Sequence, residues 1–315
     1  MKKNVIMAIF VLISVKIGAQ ESETVYNFLR LPVSAHVAAL GGDNISITDD
    51  DPTVVFHNPA LISNVTDRSL NLNYMTYMEG VKTASASFVK AHGKRGTWAV
   101  GARYVDYGKM KHTTVDNEIL GEVSAKDIAL SGTYTYALSD KIAGGVTAKF
   151  ITSKLADYTS MAVAVDLGLN YFDQEMDLSI SAVARNLGGQ IQAYDEEFEK
   201  LPIDLQVGAT KRIGESPIRL SLTMTGLTEW KDTKLADHLV FGADVLLSDN
   251  IYLAGGYCPR RNKEMKIMVD DTESSHGAGW SFGGGLQLER LKLQVAYAKY
   301  HVSASSILFN VTYTL

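Results

Sequence analysis

The chain has 315 residues, with 30 Lys or Arg against 35 Asp or Glu, a net charge of -5 with neutral histidines. That mildly acidic balance speaks against nucleic acid as a partner. The only cysteine is Cys258, which excludes an intramolecular disulfide, and beyond residue 20 no apolar run is long enough for a membrane-crossing helix, which takes about 20 residues.

In chain order, residues 1–20 have the parts of a secretory leader: Lys2 and Lys3, an apolar stretch from Val5 to Val15, then Gly18-Ala19 ahead of a cleavage site near Ala19 or Gln20. Losing Lys2, Lys3 and Lys16 with the leader takes the net charge to -8. No cysteine follows the cleavage site, so a lipoprotein is not expected. Residues 21–68 carry Leu40-Gly41-Gly42, Asp49-Asp50-Asp51-Pro52 and Phe56-His57-Asn58-Pro59-Ala60-Leu61. This glycine and proline density predicts a compact irregular segment with one helical turn around 35–40. Clustered carboxylates are what calcium takes, but Asp49–Asp51 lacks the spaced ligands and glycine of a dedicated loop, so a solvated turn or a cap before Pro52 is the expectation. His57 has no convincing triad around it and is expected to be structural. No catalytic residue, metal ligand or cofactor site is predicted, and the chain is not read as an enzyme.

From Ser69 to the end, one unit repeats: a strand-length segment and a turn. Fourteen segments are predicted, at 69–77, 83–92, 97–107, 126–138, 142–153, 161–172, 177–186, 204–213, 218–228, 238–247, 251–258, 279–288, 291–301 and 305–315. In the segment at 126–138, Ile128, Leu130, Tyr134 and Tyr136 alternate with Ala129, Ser131, Thr133 and Thr135. In the last, Ile307, Phe309, Val311, Tyr313 and Leu315 share a face, while Ser306, Asn310, Thr312 and Thr314 share the other, with Leu308 the exception. A period of two with one apolar face suits an all-β transmembrane outer-membrane barrel with lipid outside and a polar interior. Connections alternate in length. Tight ones fall at 93–96, 139–141, 173–175, 214–217, 248–250 and 289–290; longer ones at 108–125, 154–160, 187–203, 229–237 and 259–278, with only the first and last of that second set, 78–82 and 301–304, short. Short periplasmic turns and longer external loops are the barrel pattern, and a soluble sandwich gives no reason for it. An even strand count then predicts both termini in the periplasm, with 21–68 folded into the lumen as a plug and the last strand closing on the first.

Two long loops mix aromatic and charged residues, the pattern enriched at interfaces. Tyr194, Asp195 and Phe198 in one, and Arg260 and Arg261 in the other, are the candidate partner-binding residues. Gly93-Lys94-Arg95-Gly96 lacks phosphate-loop spacing and reads as a hairpin. Gly283-Gly284-Gly285 within a strand is expected to ease curvature or make room for the plug.

Leu31-Pro32-Val33-Ser34-Ala35-His36-Val37-Ala38-Ala39-Leu40-Gly41-Gly42, the aspartate run and Asn58-Pro59-Ala60-Leu61 together resemble the PorQ-type barrels of the Bacteroidetes type IX secretion system, within the wider PorV-like and FadL-like set. Asn186-Leu187-Gly188-Gly189 followed by Leu201-Pro202 continues the resemblance, which covers essentially the whole mature chain. It implies a fourteen-stranded FadL-type barrel with an N-terminal hatch, in which Gly41, Gly42, Asn58 and Pro59 form the structural plug motif. It further implies a component of the surface attachment complex with PorU and PorV, anchoring a PorZ-like protein while cargo is joined to anionic lipopolysaccharide. The alternatives it carries are a FadL-like transporter of hydrophobic small molecules and a PorV-like shuttle for cargo C-terminal signals.

Overall fold

The computed structural model describes residues 24–78, 80–113, 119–230, 233–269, 272–274, 277–301 and 304–315. The predicted leader, residues 1–20, and residues 21–23 of the predicted plug lie outside the described residues.

Alternation fixes which side of each strand meets water and which meets lipid, and fourteen such strands close on themselves. They are β1 (Ser69–Thr76), β2 (Lys82–His92), β3 (Gly96–Thr113), β4 (Ile119–Ala137), β5 (Ile142–Leu155), β6 (Tyr158–Asp173), β7 (Leu178–Gln192), β8 (Asp204–Arg212), β9 (Ile218–Met224), β10 (Leu239–Ser248), β11 (Ile251–Tyr257), β14 (Trp280–Leu288), β15 (Leu291–His301) and β16 (Ala304–Thr314). Each pairs antiparallel with its sequence neighbour in the wall, and β16 returns to β1 from Ser69↔Thr314 to Met75↔Leu308. The all-β, fourteen-stranded antiparallel barrel expected from the alternation is the fold. A small hairpin, β12 (Ile267–Val269) with β13 (Thr272–Ser274), sits in the β11–β14 connection. Three-residue strands are too short to betray themselves by alternation.

The outward face is apolar. Phe309 is 49% exposed, Phe282 54% and Leu253 54%, while the inward Ser306, Asn310 and Thr312 are buried. Leaving a large apolar side chain in water costs about 1.5–3 kcal/mol, and a belt of them on every wall strand but β2 is stable only against lipid. Leu308 breaks the alternation because it faces inward onto apolar plug residues, where it is fully buried.

Wall height is uneven. Strands β3 and β4 have 18 and 19 residues, whereas β9 and β11 have 7 each, against the 9–11 or so that cross a bilayer. Much of the loop expected at 108–125 is therefore strand. A bulge between Asp106 and Lys109 shifts the register there and breaks the alternation that sequence reading relies on. The connection expected at 154–160 shrinks to Ala156 and Asp157, with Ala156 in the left-handed region at φ 53°. Likewise β7 runs on to Gln192 inside the expected loop at 187–203.

Short helical pieces fill the lumen: 3-10 turns at Asn27–Arg30, Pro52–Phe56 and Pro59–Asn64, and α1 (Ala35–Ala39). The last three of these are capped by short polar side chains, with Ser34 accepting from the Val37 amide, Asp51 from Thr53 and Asn58 from Ala60. Pro52 and Pro59 begin their turns, where a missing N–H costs nothing. The wall makes room with glycines. A Cβ on Gly145 would lie 2.5 Å from the Pro59 carbonyl carbon, one on Gly256 would overlap Leu40 and Gly41, and one on Gly283 would lie 2.7 Å from the Ala39 Cβ. Gly41 and Gly42, at φ 106° and 101°, turn the chain out of α1 in a conformation other residues resist. Gly256→Val is expected to push the Leu40–Gly41 turn off the wall and cost at least the 1–3 kcal/mol or so typical of overpacking; thermal unfolding of the purified barrel measures it.

The described chain begins at the opposite rim from where it ends. Thr24 bridges to Lys200 at the long-loop rim, while the Leu315 amide donates to the Arg68 carbonyl at the short-turn rim. The expected shared side for both termini therefore does not extend to Thr24. An even strand count places the start of β1 and the end of β16 at one rim, but it does not govern a segment threaded through the lumen.

Candidate functional site

A transmembrane strand tolerates a charged residue only on its lumen side, and this wall carries several at mid-height that face the plug. The first cluster joins α1 to β9 and β10. His36 Nε2 lies 2.6 Å from Asp244 Oδ1, and its Nδ1 lies 3.2 Å from Asp49 Oδ2, close enough for an ion pair though not aligned as a hydrogen bond. Arg219 spans the same carboxylates, donating from Nη1 and Nη2 to Asp49 at 2.6 and 2.9 Å and from Nε to Asp244 at 2.9 Å. The Tyr252 ring stacks on the imidazole at 4.0 Å. Two carboxylates, one guanidinium and one imidazolium make a neutral set. Burial alone would pull His36 down, but Asp244 and Asp49 outweigh it and raise its pKa to about 9.

The pH dependence follows from that shift. A histidine raised from 6.5 to about 9 contributes stability that is complete below about pH 6.5 and is lost as pH rises through about 9. The protection factors of the α1 amides, that is, exchange corrected for its intrinsic rise with pH, should fall across that window in the native barrel and stay constant in His36→Gln.

The aspartate run divides its work, and the expected cap before Pro52 is one part of it. Asp49 joins the ion-pair set, Asp50 accepts from the Thr66 amide, and Asp51 caps the turn beginning at Pro52.

The second cluster fixes the plug backbone. Arg103 donates to the carbonyls of Phe28 at 2.7 Å, Leu31 at 2.9 Å and Leu29 at 3.3 Å. Arg185 donates to Leu29 and Phe56, and Lys149 pairs with Asp166 at 2.6 Å. His57 sits among these cations and accepts from the Ser34 amide at 3.3 Å, so the ring is neutral. Burial first, then Arg185, Arg103 and Lys149, hold its pKa well below the usual range. A neutral acceptor surrounded by cations and committed to the plug backbone has a structural role.

Above these clusters lies a cavity of about 1220 Å³ at the long-loop rim. Its lining includes Asp43, Arg185 and Gln206 together with Leu29, Pro32 and Leu201. Asp43 approaches Arg185 at 3.8 Å. Its pKa is raised to about 6 by burial, with Arg185 opposing the rise.

The loop candidates separate by environment. Asp195 and Phe198 are exposed, while the half-buried Tyr194 donates to Ser153. Arg260 pairs with Glu264 at 2.7 Å and Glu229 at 3.5 Å. Arg261, expected to face a partner, turns inward. It donates to the carbonyls of Gly41, Ala278 and Gly279 and lies over the Tyr300 ring at 4.8 Å. Its environment is the Gly41–Gly42 turn of the plug, which supplies an acceptor that only the folded lumen creates.

Two spacings that resemble nucleophile motifs are present, and neither has the required geometry. Gly279-Trp280-Ser281-Phe282-Gly283 runs into strand β14, where the Ser281 hydroxyl donates to the Ala39 carbonyl, in place of the strand-to-helix turn an elbow needs. Ser87 and Lys90, three apart on β2, fall on opposite faces of the wall.

No protein-family model matches the chain, and no curated protein matches it in sequence. Solved structures do match in fold. The CymD monoaromatic hydrocarbon channel superposes with a TM-score of 0.58 at 12% identity, over 90% of this chain and 97% of that one. The Pseudomonas putida toluene transporter TodX gives 0.58 at 13%, over 90% and 97%. A Pseudomonas aeruginosa FadL homologue gives 0.56 at 11%, over 89% and 98%. The chain thus has the fold of the FadL-like outer-membrane barrels, and with its lipid-facing belt it is built as an integral outer-membrane barrel.

Proposed function

We propose that this barrel is a membrane-embedded holder: the long-loop rim faces the cell exterior and anchors a surface partner. The carrying observation is the plug, tied to the wall by the His36–Asp49–Arg219–Asp244 set and by Arg103, Arg185 and Arg261 on its carbonyls. A closure fixed at so many points is suited to a scaffold. With the N-terminal resemblance, this reading makes the protein a component of the type IX attachment complex, holding a PorZ-like partner beside PorU and PorV, where cargo meets lipopolysaccharide. Affinity purification of the tagged barrel from detergent-solubilised outer membrane tests it. Recovery of those components supports the role; their absence, with normal cargo attachment in a deletion strain, rules it out.

A second reading is passage of a hydrophobic small molecule. The structural neighbours support it, since they include a monoaromatic hydrocarbon channel and a toluene transporter, and they lend no support to the attachment role. The cavity lining sets a few polar groups, Asp43, Arg185 and Gln206 among them, beside Leu29, Pro32 and Leu201, a mixture a small-molecule pocket can have. Loss of uptake of such a compound in the deletion strain, with secretion intact, favours transport. A PorV-like shuttle, the third reading, requires the purified barrel alone to bind a cargo C-terminal domain.

A further inference from the structure

The tight turns of the short-turn rim differ in charge. Five of them carry an acidic residue: Asp140 between β4 and β5, Glu175 and Asp177 between β6 and β7, Glu215 between β8 and β9, Asp249 between β10 and β11, and Glu289 between β14 and β15. The turn between β2 and β3 carries none. It holds Lys94 and Arg95, and Lys90 stands close by on the outward face of β2, opposite Trp98 on β3. All three basic side chains are exposed, and none has an ion-pair partner among the described residues. The Trp98 ring meets Phe88 edge-on at 6.0 Å, while its indole N–H finds no acceptor among the described residues. Unpaired cations beside an outward tryptophan at the end of a transmembrane strand stand at the headgroup level of one leaflet.

The lipid face next to this turn has its own relief. Ala86 on β2 and Ala102 on β3 are paired side by side, between Leu72 on β1 and Leu130 on β4. Leu72 is 55% exposed and Leu130 51%, so both stand proud of the alanines. Tyr74, Ala84 and Tyr104 make the row farther from the turn, and Phe88 and Val100 the row nearer to it. The result is an apolar groove two strands, or about 10 Å, wide. It starts about 13 Å along β2 from Lys90 and at a strand tilt of about 40° stays within one half of the hydrocarbon core.

We propose that this sector binds one anionic glycerophospholipid from the leaflet at the short-turn rim. Its phosphate lies on Lys90, Lys94 and Arg95, an ester carbonyl accepts from the Trp98 indole, and one acyl chain lies over Ala86 and Ala102. Charge complementarity selects the headgroup. A zwitterionic lipid would bring a cation of its own to three that are already unpaired, and each of the other five turns would set a carboxylate against an anionic one. The groove adds what attraction between a basic turn and a membrane surface lacks, a fixed lane for the chain, so the lipid is held at one place on the wall.

The leaflet assignment rests on the proposed orientation: with the long loops outside, the β2–β3 turn lies in the periplasmic leaflet, which is built of phospholipid. The site itself is testable on the isolated barrel. The full-length barrel in detergent is titrated with dioleoyl phosphatidylglycerol or dioleoyl phosphatidylcholine, and bound lipid is counted by native mass spectrometry. The same titration is run on the triple variant Lys90→Gln, Lys94→Gln, Arg95→Gln, on Ala86→Trp, which fills the groove, and on Arg290→Gln as a charge control, each checked for heat-modifiable mobility. The native and Arg290→Gln barrels should each retain one phosphatidylglycerol and no phosphatidylcholine at the same lipid ratio. Retention should fall at least tenfold in the triple variant and in Ala86→Trp. Equal retention of the two lipids by the native barrel, or native-level phosphatidylglycerol on either variant, would overturn the proposal. Preference for lipopolysaccharide over phosphatidylglycerol would overturn it too, by placing this turn in the outer leaflet. Specific phosphatidylglycerol binding without recovery of any surface partner would defeat the holder reading and leave the site standing; recovery of a partner without lipid retention would do the reverse.

Discussion

Arg219→Leu should release the plug while leaving the barrel closed. The guanidinium makes three charged hydrogen bonds to Asp49 and Asp244, and losing it leaves the buried Asp244 and the partly buried Asp49 sharing one imidazolium. Removing one partner from a buried ion-pair set costs about 3–5 kcal/mol, and here that cost falls on the contact between α1 and the wall. Amide exchange over 35–51 should accelerate on the order of 100- to 1000-fold, because local opening then requires that much less free energy. The heat-modifiable mobility of the barrel should not change, since no wall pairing involves the Arg219 side chain. Arg219→Lys should recover only part of the protection, because an ammonium cannot bridge two carboxylates with a rigid fork. Unchanged exchange in Arg219→Leu would show that the cluster does not anchor the plug.

Removing residues 304–315 should abolish assembly altogether. Strand β16 pairs on one side with β1, from Met75 to Ser69, and on the other with β15, from Leu291 to His301. Without it both neighbours present unpaired N–H and C=O groups to hydrocarbon, where each unsatisfied group costs several kcal/mol or so, and an open sheet does not survive in a bilayer. No heat-modifiable species should appear in outer-membrane fractions. A truncated chain that still inserts and shifts mobility on heating would mean the wall closes some other way.

Most of the wall was legible because its signal is local. Ile307, Phe309, Val311 and Tyr313 need only their own alternation to show a lipid face, and every expected strand has its counterpart. Strand ends were less legible. Where β3 and β4 rise past Asp106 and Lys126 the outward residues become Lys109, Lys111 and Glu122; polar-out replaces apolar-out and the strand looks like a loop. The site was least legible because its parts are far apart in sequence. His36 and Asp244 are separated by 208 residues, and nothing near either position hints at the other. One signal was available: Arg103, Asp166, Arg185 and Asp244 each stand at an inward position in the middle of a strand, where a charge requires a lumen partner. Arg261 shows the converse, since a basic residue in a polar loop reads as a surface group until the Gly41 carbonyl beside it is known.

The holder and the transporter differ in whether the plug must move, and one measurement separates them. The Ser46 hydroxyl of the plug lies 2.8 Å from that of Thr210 on β8, both buried, so Ser46→Cys with Thr210→Cys brings two thiols within disulfide reach. Expressed in a deletion strain, the oxidised double variant should retain the surface partner and cargo attachment at the native level, with or without reductant. Loss of attachment in the locked barrel, restored when the disulfide is reduced, would contradict a fixed plug and the holder with it.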